Sequence, residues 1–124
     1  MADAPQQAAR GEMAARISRR SVQILRDYTG RGPTKARTTI DHDLVSVVLA
    51  DTLLKGEQQL VAIGEKSTVL DTRQKFQRAM REDLVGTVEE VTGRRVIAFM
   101  SSNHIDPDLA VETFVLERQE EAGQ

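Results

Sequence analysis

A single amphipathic stretch, residues 67–92, constrains the fold of this chain more than any other part of it. Apolar side chains recur there at steps of three, four or seven residues, a spacing typical of one buried side of an α-helix. These side chains are Val69, Phe76, Met80, Leu84, Val88 and Val91, with Ala79 and Val85 beside them. We expect Thr68 or Asp71 to cap the beginning of this helix and Gly93, which tolerates a left-handed backbone, to end it. The stretch therefore predicts one long helix with a buried side.

The rest of the chain offers enough residues for one domain. Its 124 residues are 40% hydrophobic and 29% charged, which is typical of a soluble globular protein. We expect a disordered tail over residues 1–7, a single domain over residues 8–118 and a frayed acidic tail over residues 119–124. The absence of cysteine excludes a disulfide framework and a thiolate zinc site.

No run of the sequence approaches the roughly 18 apolar residues that a membrane span needs, and the first residues lack the apolar segment of a signal peptide. We therefore expect a cytoplasmic protein. Charge is divided unevenly along the chain. Residues 1–37 carry eight Lys or Arg against three Asp or Glu, a net +5, while the remainder carries nine against sixteen, a net −7. The basic part is suited to an acidic partner, or to the acidic part of the same chain or of a second copy.

A basic amphipathic helix is predicted from Ala8 to Tyr28. The residues that we assign to an interaction surface on it are Met13, Ile17, Arg20, Ile24 and Tyr28. Such a helix can lie on an anionic membrane or nucleic acid, but its modest apolar side favours packing. It either completes the domain or reaches across to another subunit.

Four strands and a short helix are predicted in the remaining segments. The strands are residues 34–40, 44–50, 95–101 and 110–118, the short helix is residues 55–63, and residues 102–108 are predicted to be a polar loop. Residues 44–50 are apolar enough to form a central strand. This order predicts an α+β fold: a two-layer α/β sandwich in which an antiparallel sheet of about four strands, built from two hairpins, is covered by the long helix. The basic amino-terminal helix is added to it.

One candidate ligand site lies where the first helix ends. The residues of this predicted anion-binding site are Gly30, Arg31, Gly32, Lys35 and Arg37. Free backbone N–H groups and nearby cations are the ingredients of an anion-binding loop. The alternative is that Gly and Pro here simply end the helix and bind nothing.

Catalytic and metal sites are not expected. His42 lies between Asp41 and Asp43, and His104 lies close to Asp106 and Asp108, but Asp and His are also ordinary turn residues. No Gly-flanked serine or cysteine nucleophile is present. We therefore predict no enzyme activity, no metal and no cofactor.

Several short motifs resemble those of the MpsC-type family, a bacterial family associated with Na⁺ translocation and membrane potential. They are Gly30-Arg31-Gly32-Pro33, Leu53-Leu54 with Glu57 and Leu60, Thr92-Gly93-Arg94-Arg95-Val96 through Phe99, His104-Ile105-Asp106-Pro107-Asp108, and Phe114-Val115-Leu116. The resemblance extends from about Tyr28 to Arg118. It implies a small cytosolic protein linked to inorganic-carbon supply or membrane-potential generation alongside membrane transport components, and it implies no catalytic residues.

Our leading hypothesis is a non-enzymatic accessory domain that forms a homodimer or higher homo-oligomer and binds a protein partner, such as a membrane transporter component. The alternative is a sensing domain for a small anion, either bicarbonate or phosphate. We do not expect a nucleic-acid partner, because aromatic side chains for base stacking make up only 3% of the chain.

Overall fold

The computed structural model describes residues 4–119, and its elements follow the predicted order. They are α1 (Ala4–Thr29), β1 (Lys35–Asp41), β2 (Leu44–Ala50), α2 (Lys55–Ala62), α3 (Lys66–Thr92), β3 (Val96–His104) and β4 (Leu109–Leu116). The predicted α+β class is confirmed, with a four-stranded antiparallel sheet and α3 packed against it.

Two hairpins build the sheet, in the strand order β1-β2-β4-β3, and every neighbouring pair is antiparallel. The hairpins meet where β2 pairs with β4 from Leu44↔Val115 to Ala50↔Leu109. This pairing makes β2 a central strand, as its apolar sequence predicts.

Two element boundaries differ from the prediction by three residues or more. Helix α1 begins at Ala4 rather than Ala8, since Pro5 is tolerated in a first turn and Ala and Gln favour helix. Residues 4–7 are therefore helical, not part of a disordered tail, whereas residues 1–3 and 120–124 lie outside the described residues. Strand β3 continues to His104, so the loop predicted over residues 102–108 begins three residues too early.

The long helix ends as predicted and begins differently. Gly93 has a left-handed backbone (φ 69°), and its N–H donates to the Glu89 carbonyl. The N-cap residue is Glu65, so neither Thr68 nor Asp71 caps the helix. Thr68 instead donates its hydroxyl to the Glu65 carboxylate at 2.8 Å.

The apolar stripe of α3 fills the space between the helices and one face of the sheet. Met80, Leu84 and Val88 are buried in this space, and Phe76 and Val91 are half-buried beside them. Val69 is buried in a separate small cluster with Leu53 and Ile105. The sheet side chains facing the helices are Val45, Val47 and Leu49 on β2, with Ala110, Phe114 and Leu116 on β4. Fully burying one large apolar side chain contributes about 1.5–3 kcal/mol, so this stripe is a principal source of stability.

Helix α1 completes the helical layer within the same subunit. It contacts α3 and β1, and Ile17 and Ile24 are buried in the shared core. Polar contacts fix its position: the Ser18 and Thr38 hydroxyls lie 2.7 Å apart, and the Tyr28 hydroxyl donates to Asp83. The apolar side of α1 is therefore occupied within its own chain.

Replacing Leu84 by alanine tests this packing. Leu84 is 1% exposed, so Leu84→Ala should lower the free energy of unfolding by about 2–5 kcal/mol through lost transfer energy and a residual cavity. Ile63, which is 74% exposed, provides the control, and Ile63→Ala should change stability by less than about 0.5 kcal/mol. Urea denaturation measures both, and equal effects would contradict the described core.

Candidate functional site

The face of the sheet that points away from the helices is unusually apolar. Side chains alternate between the two faces of a strand, which assigns eight positions of the central strands to this side. They are Leu44, Ser46, Val48 and Ala50 on β2, and Leu109, Val111, Thr113 and Val115 on β4. Six of the eight are apolar, whereas the outer face of an antiparallel sheet is usually polar. No helix or strand within residues 4–119 covers this surface, which we name the open face.

Large apolar side chains on the open face reach solvent. Leu44 is 43% exposed, and Met100 on β3, which pairs with Thr113, is 51% exposed. Val48 and Val111 pair directly at the middle of the sheet. A contiguous exposed apolar patch marks an interaction site more often than scattered single residues do.

The edge strand β1 adds charge to the open face. Lys35 and Arg37 lie on this face near one end of the strand, and Asp41 lies at the other end, beside the β1–β2 turn. The patch is therefore apolar in the centre and charged along one edge, a pattern typical of interfaces.

The structure separates the residues of the predicted anion-binding loop. Gly30 has φ 82° and donates its N–H to the Arg26 carbonyl, which ends α1. Arg31 donates from Nη1 to the Leu53 carbonyl at 2.7 Å. Gly32 lies against Val22 and Arg26, and the predicted cations Lys35 and Arg37 belong to the open face. Anion binding by this loop stays a prediction.

The predicted interaction residues of α1 also divide into two groups. Ile17 and Ile24 are buried in the core, and Met13 is half-buried. Arg20 and Tyr28 are exposed, and the Tyr28 hydroxyl donates a hydrogen bond to the Asp83 carboxylate at 2.7 Å. The open face, rather than the apolar side of α1, is the apolar surface left uncovered.

A buried polar cluster lies beneath α3, and the sequence pattern did not reveal it. The Arg73 guanidinium donates to the Thr52 carbonyl, to Asn103 Oδ1 and to Glu57 Oε1, the last at 3.3 Å. Gln77 donates to Asn103 at 2.9 Å. Arg73 and Gln77 face inward although charged and amide side chains on a helix are usually solvated.

Glu112 of β4 belongs to this cluster. It accepts hydrogen bonds from the Ser101 hydroxyl and, at 3.4 Å, from Gln77 Nε2. Burial raises the pKa of Glu112 to about 7, and the hydrogen bond from Ser101, the charge of Arg73 and the hydrogen bond from Gln77 oppose this shift. Glu112 therefore changes protonation near neutral pH. Its position in an inward-facing register, between Ala110 and Phe114, is the signal that identifies it.

The two histidines lie at opposite ends of the sheet. His42 Nδ1 is 2.7 Å from Asp41 Oδ1 in the β1–β2 turn, while His104 Nδ1 is 2.8 Å from the Pro107 carbonyl at the other end. Within the part of the chain that the structure describes, no group of three or more His, Cys, Asp or Glu side chains is placed to hold a metal.

Comparison with known families matches residues 9–118 to the family described as Na⁺-translocating membrane potential-generating system (MpsC). The chain belongs to the MpsC family. This result confirms the resemblance seen in the sequence and covers every element of the fold from within α1 to β4. Searches of curated proteins and of solved structures gave no match. Among residues 4–119 of this MpsC family member, no helix is long and apolar enough to cross a membrane.

The raised pKa of Glu112 predicts how stability depends on pH. Between the ordinary value of 4.5 and the folded value of about 7, the folded chain binds more protons than the unfolded chain. The free energy of unfolding should therefore fall as pH rises from about 5 to about 8, by up to about 3 kcal/mol from this group. Glu112→Gln, which keeps the size of the side chain, should remove most of that decline.

Urea denaturation at the two pH values measures this dependence. Glu90 is exposed, so Glu90→Gln provides the matched control and should leave the decline intact. An unchanged decline in Glu112→Gln would show that another group is responsible.

Proposed function

We propose that this chain is a non-enzymatic accessory protein of a membrane potential-generating system and that it acts as a homodimer joined through its open faces. The family match supports the link to that system. The observation that supports the dimer is the uncovered apolar surface on the two central strands. In this proposal the dimer serves a transport component on the cytosolic side, in a system that supplies inorganic carbon or generates membrane potential.

Charge complementarity favours a second copy of the chain as the occupant of the open face. Lys35 is the first residue of β1 and Asp41 the last, and both lie on that face. A two-fold axis that runs across the strands, between two stacked sheets, pairs the first position of β1 with the last position of β1 in the other copy. Lys35 then faces Asp41 of the second copy, and the same contact occurs twice.

The size of the open face indicates the strength of such a dimer. Four strands about 4.8 Å apart, with seven residues rising about 3.3 Å each, give a face of about 19 by 23 Å. Two copies would cover about 900 Å² in projection, less than the roughly 1,200–2,000 Å² of a standard stable interface. We therefore expect reversible association with a dissociation constant in the micromolar range rather than an obligate dimer.

A charge at the centre of the open face tests the proposal. Light scattering coupled to size-exclusion chromatography should show the wild-type mass rising from monomer to dimer as concentration increases. Val111→Lys should remain monomeric, because a dimer would bury its ammonium group without a partner. Ile63→Lys introduces the same charge at the exposed apolar residue that follows α2, outside the open face, and should dimerise like the wild type.

Circular dichroism verifies that each variant is folded. A wild-type chain that stays monomeric at high micromolar concentration, or a folded Val111→Lys variant that still dimerises, would contradict the assignment.

A further inference from the structure

A cleft of about 220 Å³ lies between α3 and the edge strand β3, on the helical side of the sheet. Its lining consists of Gln74, Gln77, Arg78, Arg81, Phe99 and Ser101. The volume is below the roughly 300–1,000 Å³ of pockets that hold drug-sized molecules, so the cleft is suited to a small ion. It is separate from the open face.

Two arginines give the cleft its charge. Arg78 and Arg81 are three residues apart, so they lie on the same side of α3. Neither guanidinium forms a hydrogen bond or an ion pair within the described residues, and Arg81 Cζ lies 5.7 Å from the centre of the Phe99 ring. Like charges at this spacing destabilise a helix slightly, and an anion between them would remove that cost.

The floor of the cleft connects to the buried carboxyl group of Glu112. Ser101 and Gln77 line the cleft, and both donate hydrogen bonds to Glu112. Only one side chain therefore separates an anion in the cleft from that carboxyl group. If Glu112 is ionised, its negative charge repels the anion, whereas the protonated form does not.

We propose that this cleft binds a small oxyanion between Arg78 and Arg81 and that Glu112 takes up a proton as the anion binds. Protonation of Glu112 raises the affinity for the anion, and anion binding raises the proton affinity of Glu112 by the same factor, because coupling between two binding equilibria is reciprocal. The site is independent of dimer formation, and it gives the small-anion alternative a location other than the loop at Gly30.

Few other charges face Glu112 from the surrounding elements. On α3, the charged residue facing Glu112 is Arg73, whose positive charge lowers the pKa of Glu112. On α2, the charged residue in this region is Glu57, which is paired with Arg73. The neighbouring residues of β2 and β3 are Val47 and Ser101, and α1 presents Leu25 and Thr29 to this region, none of them charged at neutral pH. The protonation of Glu112 therefore responds chiefly to Arg73 and to any anion in the cleft.

Isothermal titration calorimetry of the full chain with sulfate tests the proposal, because sulfate remains fully ionised throughout the pH range used. Titrations at constant ionic strength, in buffers of different ionisation enthalpy, count the protons taken up. Near pH 7 we expect saturable binding with net proton uptake, and affinity at least about fivefold lower at about pH 9 than at about pH 6. In Glu112→Gln, we expect binding to persist while proton uptake and the pH dependence disappear.

Three double variants with the same charge change locate the site. Arg78→Gln/Arg81→Gln should abolish saturable binding. Arg16→Gln/Arg19→Gln alters another basic cleft, of about 400 Å³ between α1 and α3, and is the control that should bind sulfate like the wild type. Lys35→Gln/Arg37→Gln removes the cations of the anion-binding site predicted from the sequence, so loss of sulfate binding in this variant alone would place the site there and contradict the proposal.

Several results would overturn the inference. They are the absence of saturable heat in the folded wild type, loss of binding only in a control variant, or unchanged proton uptake in Glu112→Gln. If Glu112→Gln does not fold, carbon-detected NMR titration of the Glu112 carboxyl group in the wild type replaces it: sulfate should raise the pKa of that group, and an unchanged pKa would count against the proposal.

Discussion

The packing of one helical layer against one face of a four-stranded sheet is the constraint on which the rest of this structure depends. The buried stripe of α3, from Met80 to Val88, and the buried side of α1 together cover only that face. Strands β2 and β4 nevertheless carry apolar side chains on both faces, as strands between two covering layers do. The second face is therefore left with an apolar surface and no cover within the described chain. This imbalance is the physical basis of the proposed dimer.

The sequence predicts the parts of this fold that depend on periodic hydrophobicity. The helical spacing of Met80, Leu84 and Val88, the left-handed position of Gly93 and the apolar run of β2 all lead to the observed elements. The ends of the strands are predicted less accurately, because backbone hydrogen bonding between strands does not require apolar side chains. Ser102 and His104 extend β3 by pairing with Val111 and Leu109, although their polarity is typical of a loop.

The candidate sites could be predicted only in part. The apolar character of β2 can be predicted from the sequence, but its exposure depends on which elements pack against each face of the sheet. The buried cluster was missed because Arg73 and Gln77 occupy helix positions that polar side chains usually use to meet water. Their burial becomes tolerable only when the fold brings Glu57, Asn103 and Glu112 within hydrogen-bonding distance. For Arg73 and Gln77, such long-range complementarity leaves no local pattern in one sequence, whereas the strand register marks Glu112 as inward-facing.

The central claim is that a second copy covers the open face. The reactivity of a single introduced thiol tests this claim most directly. The chain contains no cysteine, so Met100→Cys places one thiol on the open face, and Ile63→Cys places one at the carboxyl end of α2 as a control. The account predicts that the thiol at position 100 reacts slowly with a maleimide reagent in concentrated protein and several-fold faster after dilution, while the thiol at position 63 reacts equally fast in both. Equal rates at position 100 before and after dilution would contradict it.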